Sequence, residues 1–358
     1  MPQSTRLKVT AVVVSYNRSA ILGDTLDALA AQTRHVDHVI VVDNASTDGA
    51  ADVALTHPLR PEVLQLNTNL GGAGGFTAGI ARALEEQDHD SDTAHTQGTH
   101  ATRTPGDHAP LYIWLMDDDV VPTEHALENL LRTADEARSL NGALPTVLGS
   151  KAIWIDGREH PMSRPRPRTF LRSGAKELST NSTAPATSTA RTDAAATTPA
   201  FQVRSLSFVS CLFDAGAVRA QARLPRTAYF MWNDDFEFTT RLLKNGIGYY
   251  APASVVEHRT KVFGSSDADP GERFYFEVRN KLWMLRFSRD IFARGELAEF
   301  VLKTARRWVL TFVRSGHKSV IRDCFTRGWH DGMRTAPRSN QEIFTENDEF
   351  DLSASIAA

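Results

Sequence analysis

Residues 7–14, LKVTAVVV, constrain the fold more than any other segment. A short, largely β-branched run of this kind reads as a strand buried on both faces, and such strands belong to parallel sheets covered by helices on either side. The pattern downstream agrees. Apolar residues Ile21, Leu22, Leu26 and Leu29 recur at helical spacing, followed by an apolar run at 39–42, a short helical stretch near 48–55 and a third run at 63–66. Strands alternating with helical stretches at this pitch predict βαβ units. A third crossover helix is predicted over 74–86, a fourth strand over 111–116, a helix over 123–140 and a further strand over 147–155. The expected class is α/β.

Two segments interrupt the pattern. Residues 87–110 hold no apolar side chain larger than alanine or proline. They carry His89, His95, His100 and His108 at spacings that match no compact metal motif. Residues 173–200 are dominated by Ser, Thr and Ala. Both read as solvated insertions, because neither can bury enough surface to offset its ordering entropy. They leave a catalytic domain over 1–270, a helical basic region over 271–337 and an acidic tail over 338–358 expected to be disordered.

The whole chain, 358 residues with a formal net charge of −3, does not look like a nucleic-acid-binding protein. That sum hides an asymmetry. Residues 279–338 carry 14 basic and 5 acidic side chains, a local +9, so the remainder carries about −12. Around 300–314, FVLKTARRWVLTFVR, apolar residues alternate with Lys303, Arg306, Arg307 and Arg314. That pattern suits a helix lying on an anionic membrane surface, and equally an amphipathic helix packed on the catalytic domain. Only Cys211 and Cys324 are present, too few for a disulfide framework. No signal peptide is legible at the start, so a reducing cytoplasmic setting is expected. Arg outnumbers Lys 32 to 8, which suggests a GC-rich bacterial genome.

The chemistry sits at the predicted strand ends. Asp117, Asp118 and Asp119 follow the buried strand IWLM, where three adjacent carboxylates repel unless a cation compensates them. Hard oxygen ligands suit Mg²⁺ or Mn²⁺, and the carboxyl ends of strands are where open α/β sheets gather ligands. One Asp would suffice to cap the following helix. Asp43 to Asp48, DNASTD, end the second strand and suit either nucleobase or ribose recognition or a helix cap. Asn69 to Phe76, NLGGAGGF, open a helix and match neither a Walker loop nor a dinucleotide fingerprint. Asp234, Asp235 and Glu237 stand among aromatics just before a helix. That crowding can raise one carboxylate into the range of a general base, or serve to cap the helix. His258 follows a short predicted strand.

In order, VVVSYNR, VVDNASTDG, NLGGAGGF, IWLMDDDVVP, MWNDDFEF, EHRTK and RFYFEVRNKLW resemble glycosyltransferase family 2, with its GT-A fold. The glycine run, the W-x-D-D-x-E-F pattern and the aromatic segment before Arg279 and Asn280 are similar to the galactofuranosyltransferase branch and to nearby rhamnosyltransferases. The resemblance implies a Rossmann-like, mostly parallel sheet and metal-dependent inverting transfer of galactofuranose from a UDP-sugar donor to a lipid-linked glycan acceptor. It implies that Asp43, Asn69, Gly72, Asp117 and Asp118 serve the nucleotide-sugar and that Asp117, Asp119 and His258 hold Mn²⁺ or Mg²⁺. Asp235 is then the base, Asp234 places the acceptor hydroxyl, and Trp232 and Glu237 contact the acceptor. Asn233 and Thr77 depart from the family pattern, as do the two insertions. A dTDP-rhamnose donor, a sugar nucleotidyltransferase and a non-catalytic nucleotide-sugar-binding protein are the competing readings. The nucleotidyltransferase lacks its N-terminal basic, Gly-rich loop here, and loss of turnover is at odds with the presence of Asp235.

Overall fold

The computed structural model describes residues 7–96, 111–168, 178, 199–261, 263 and 269–352. Ten strands form the centre: β1 (Lys8–Ser15), β2 (His38–Asp43), β3 (Glu62–Gln65), β4 (Leu111–Asp117), β5 (Val120–Pro122), β6 (Val147–Ile153), β7 (Arg166–Pro167), β8 (Phe201–Ser205), β9 (Cys211–Asp214) and β10 (Gly248–His258). Their order across the sheet is β3-β2-β1-β4-β9-β6-β10-β8-β7, with β5 pairing β10. β3, β2, β1, β4, β6 and β10 run in one direction, as the α/β reading expects. β9 is inserted antiparallel between β4 and β6, and β8 and β5 also oppose β10.

The opening run behaves as its pattern requires. Val12 and Val14 enter one core with Ile40 and Val42, while Ala11 and Val13 enter the opposite core with Val39 and Val41. Helices α1 (Ser19–Ala30), α2 (Ala50–Thr56), α3 (Gly71–Thr96) and α4 (Ala126–Asn141) are the crossovers. α3 lies close against the sheet because Gly75 and Gly79 have no side chain. A Cβ at Gly79 would stand 2.3 Å from Val12 Cγ1 and 3.0 Å from Val42 Cγ2. The helix runs on to Thr96 rather than stopping at 86, so the first ten residues of the expected insertion extend it. The rest of that insertion, with His100 and His108, and nearly all of 173–200 lie outside the described residues.

After α5 (Ala215–Gln221) and α6 (Asp234–Asn245) come α7 (Phe274–Phe287), α8 (Arg294–Arg314), α9 (Lys318–Arg334) and α10 (Asn340–Glu346). α7 and α9 pack together through Phe274, Val278, Leu282, Ile321 and Cys324. The tail corrects an expectation, because residues 340–352 are folded rather than disordered. Ser339 and Glu342 form a capping box that starts α10, and Phe344 and Leu352 are buried in the main core. Asn340 Oδ1 accepts from the Thr227 N–H at 2.9 Å, and its Nδ2 donates to the Pro225 carbonyl at 2.7 Å. The tail therefore braces the segment that leads to Asp234. Among the described residues no helix is long and apolar enough to cross a membrane.

Candidate functional site

Two strand ends and one helix start meet over a cavity of about 580 Å³, within the usual range for a small-molecule site. β4 delivers Asp117, the turn after it delivers Asp118 and Asp119, and β10 ends on His258. Into the same cavity α6 begins with Asp234 and Asp235, acids favoured there by the helix dipole. Gly72, Trp232 and Asn233 complete this part of the lining.

Carboxylate and imidazole atoms of Asp117, Asp119 and His258 lie within 4.8 Å of one another. His258 Nε2 stands 3.3 Å from Asp119 Oδ1, and Arg18 donates to Asp119 Oδ2 at 2.8 Å. His258 Nδ1 is buried and has no hydrogen-bond partner among the described residues. Burial and the neighbouring Asp119 charge push Asp117 up to about 6. Burial raises Asp118 to about 7, opposed by the hydroxyl of Ser15. Asp119 is also buried, yet His258 and Arg18 hold it below the usual carboxylate range. Two carboxylates and an imidazole with a surplus of negative charge form a donor set that fits a divalent cation.

Asp118 lines the cavity, but its Oδ2 accepts from Ser15 Oγ at 2.9 Å and from the Tyr16 N–H at 3.2 Å, tying β4 to the end of β1. Asp43 and Asn69 lie outside the lining. Asp43 Oδ1 accepts from the Ser46 N–H, and Asn69 Oδ1 from the Gly71 N–H at the start of α3. Glu237 requires a correction. It is fully buried away from the cavity, where it faces Arg223, Arg226 and Arg241 at 3.5–3.7 Å and accepts from Ser288 Oγ at 2.9 Å. It is a counterion within the fold, not an acceptor contact.

The approach to Asp235 is strained. Phe230, Trp232 and Asn233 all have positive φ, near 62–67°, a conformation that costs a non-glycine residue about 1 kcal/mol or more. Asn280 on α7 holds that loop, its Nδ2 lying 2.9 Å from the carbonyl oxygens of Tyr229, Met231 and Trp232. Arg279 donates to the Ala228 and Tyr229 carbonyls. Burial is the largest influence on both acids of the pair and raises both, with repulsion from Asp235 adding to the rise at Asp234. A base with a raised pKa is matched to proton abstraction near neutral pH.

Glu277 was not legible as a site residue. It lines the cavity from α7 and accepts from Asn233 Nδ2 at 3.2 Å. Burial opposes its charge, but Lys281 and Arg307 hold it below the usual glutamate range. Arg307 of α8 also lines the cavity, 3.3 Å from Glu277, which fits the reading of that helix as packed on the catalytic domain.

A family model, "Glycosyl transferase family 2", matches residues 10–196. The chain belongs to glycosyltransferase family 2. The glycosyltransferase is 29% identical over 298 residues to galactofuranosyltransferase GlfT1 of Mycobacterium tuberculosis, which covers 77% of this chain and 82% of the relative. It is 27% identical over 293 residues to GlfT1 of Mycolicibacterium smegmatis, with the same shares of the two chains covered. Among solved structures it is similar to residues 1–349 of S. aureus TarS in complex with UDP-GlcNAc (TM-score 0.45, 15% identity, 96% of this chain and 93% of that one). It is also similar to mannosyltransferase PcManGT of Pyrobaculum calidifontis in complex with GDP-Man and Mn²⁺ (TM-score 0.46, 15% identity, 98% and 86%). The α/β sheet with its strand-end carboxylates is the GT-A arrangement that the resemblance implies.

Proposed function

We propose that this glycosyltransferase transfers galactofuranose with inversion from UDP-galactofuranose to a lipid-linked cell-wall or polysaccharide acceptor, at the inner face of the plasma membrane. One observation carries the reading: Asp117, Asp119 and His258 open into the same cavity as Asp235. Inverting transfer needs a base on the acceptor side and charge stabilisation on the leaving-group side, and the two sets can supply these within one cavity. Asp117, Asp119 and His258 would hold Mn²⁺ or Mg²⁺, which neutralises charge on a departing diphosphate as a Lewis acid when bound. Arg18 adds a fixed cation at Asp119. Asp235 takes the proton from the acceptor hydroxyl as its oxygen attacks the anomeric carbon, a contribution of about 10²–10⁴-fold. Asp234 and Trp232 flank that hydroxyl, and the Asn280 clamp keeps the base in place against the strain of its loop. Similarity to the GlfT1 enzymes over most of the chain supports the galactofuranose donor. Membrane attachment is supported by α8, where Leu302, Val309 and Val313 are 71%, 62% and 61% exposed beside Lys303 and Arg306.

The test is release of UDP and radiolabelled lipid from a panel of nucleotide sugars, with Mn²⁺ and a membrane lipid extract. Turnover is expected with UDP-galactofuranose, and Asp235→Asn should abolish it while UDP still binds. Turnover with dTDP-rhamnose in place of UDP-galactofuranose would overturn the donor, and full activity of Asp235→Asn would overturn the base.

A further inference from the structure

A second cavity of about 890 Å³ adjoins the first, with Arg307 lining both. Its walls are cationic. Arg166 of β7, Arg168 just after it, Arg204 of β8 and Lys281 of α7 line it together with Lys303, Arg306 and Arg307 of α8, and the acids in the lining are Glu296 and Glu299. Like charges so arranged repel at close range and are costly without an anion between them. Arg204 is 5% exposed, and its Nη1 makes no hydrogen bond among the described residues. The nearest carboxylate, Glu299 Oε2, is 3.6 Å away, and Glu299 also pairs with Lys303. Burial and the charges of Arg204 and Arg307 together depress the pKa of Arg166. Arg166 and Arg204 also flank one ring, Phe236, at 4.7 and 5.7 Å, and Phe236 directly follows Asp235. The cationic chamber therefore lies beside the base.

We propose that this second cavity binds the phosphate or diphosphate ester at the polar end of a lipid-linked acceptor. The assignment rests on the glycosyl-transfer reading for the acceptor's role. Arginine guanidinium groups match phosphate oxygens bidentately, and a buried arginine with an unused donor is the feature that an arriving phosphate satisfies. The lipid source is favoured by α8, the helix that bears three of the seven cations of the lining. Leu302, Arg306, Val309 and Val313 share one stripe of α8, so an acyl or isoprenoid chain leaving the cavity meets exposed apolar side chains.

The test is calorimetric titration, in EDTA, of farnesyl diphosphate, farnesol and inorganic pyrophosphate into the wild type, Arg204→Gln and Arg306→Gln. Farnesyl diphosphate should bind one to one, farnesol should not, and each substitution should weaken binding at least about 10-fold. Arg306 is exposed, so its variant keeps the test decisive if Arg204→Gln does not fold. Unchanged affinity in the folded variants, or displacement of farnesyl diphosphate by UDP in a parallel titration with Mn²⁺ in place of EDTA, overturns the site. Pyrophosphate binding as tightly as farnesyl diphosphate overturns the lipid source and assigns the cavity to a free anion. A wild type that binds farnesyl diphosphate but never UDP would sink the donor reading while leaving this site standing.

Discussion

Replacing Glu237 by Gln separates a counterion in the fold from a residue of the acceptor site. Its carboxylate is buried and faces three guanidinium groups at 3.5, 3.7 and 3.6 Å, belonging to Arg223, Arg226 and Arg241. At an effective dielectric of about 20, each pair attracts by roughly 4–5 kcal/mol before desolvation is counted. Arg223 and Arg226 are 34% and 20% exposed and can turn toward water when the charge is removed, so most of their share is recovered. Arg241 cannot. It is 7% exposed, burial already depresses its pKa against the pull of Glu237, and its remaining partners are the side-chain oxygen of Gln221 and the carbonyls of Arg223 and Leu224. Breaking a buried pair costs about 3–5 kcal/mol, and these contacts are longer than ideal, so Glu237→Gln should cost about 2–4 kcal/mol. Ser288 Oγ can still donate to the amide oxygen of Gln, which keeps the loss to the charge itself. With a urea slope near 3 kcal/mol/M, the unfolding midpoint should fall by roughly 1 M. Transfer assays below that midpoint should show an unchanged KM for the acceptor. A midpoint that does not move, joined to a raised acceptor KM, would refute the counterion assignment and return Glu237 to the site.

Two further substitutions and a pH profile probe the scaffold. Gly79→Ala places a Cβ 2.3 Å from Val12 Cγ1 in a core with no space, and should lower stability by about 1–2 kcal/mol in the same urea assay. Gly23→Ala, mid-helix with nothing within 4 Å, should raise it by about 0.5–1 kcal/mol. His38 Nε2 donates at 3.1 Å to the Glu62 carboxylate, and that hydrogen bond, opposed by burial, raises the histidine's pKa above 6.5, while the same bond lowers that of Glu62 below 4.5. A raised histidine stabilises fully below its unfolded pKa and loses that contribution as pH climbs through the folded value. A lowered glutamate does so above its unfolded pKa and loses it on acidification. The pair should therefore contribute most between about pH 4.5 and 6.5, and His38→Asn should cost about 0.5–1 kcal/mol at pH 6 and less at pH 8.5. Equal losses at both pH values would contradict the sign.

What the sequence made legible was local. The run at 7–14 announces a doubly buried strand because both alternating faces are apolar, and Val12 and Val13 do enter opposite cores. Acids at Asp117–Asp119 and Asp234–Asp235 stand out because helix or strand ends are where such charges are tolerated. The placement of Glu237 needed one more step of the same kind. Residues two apart on a helix lie about 200° from each other, so once Asp235 faces the cavity Glu237 must face away. The tail carried its own signal too, since Ser339 and Glu342 stand three apart before Ile343 and Phe344. Its acidity outweighed that cue in a composition-based reading. The antiparallel β9 and the inward turn of Arg307 are different, because they depend on contacts between segments far apart in the chain. Cys211 pairs with Leu115 in the sheet, and Arg307 meets a glutamate from another helix. The positive charge of the C-terminal region was visible from the start, but its division was not. One face of α8 turns Leu302, Val309 and Val313 to the exterior, while Arg307 meets Glu277 in the cavity that Asp235 also lines. A single helix therefore presents exposed apolar side chains and a cation of the Asp235 cavity at once, the combination that the proposed lipid-linked acceptor requires.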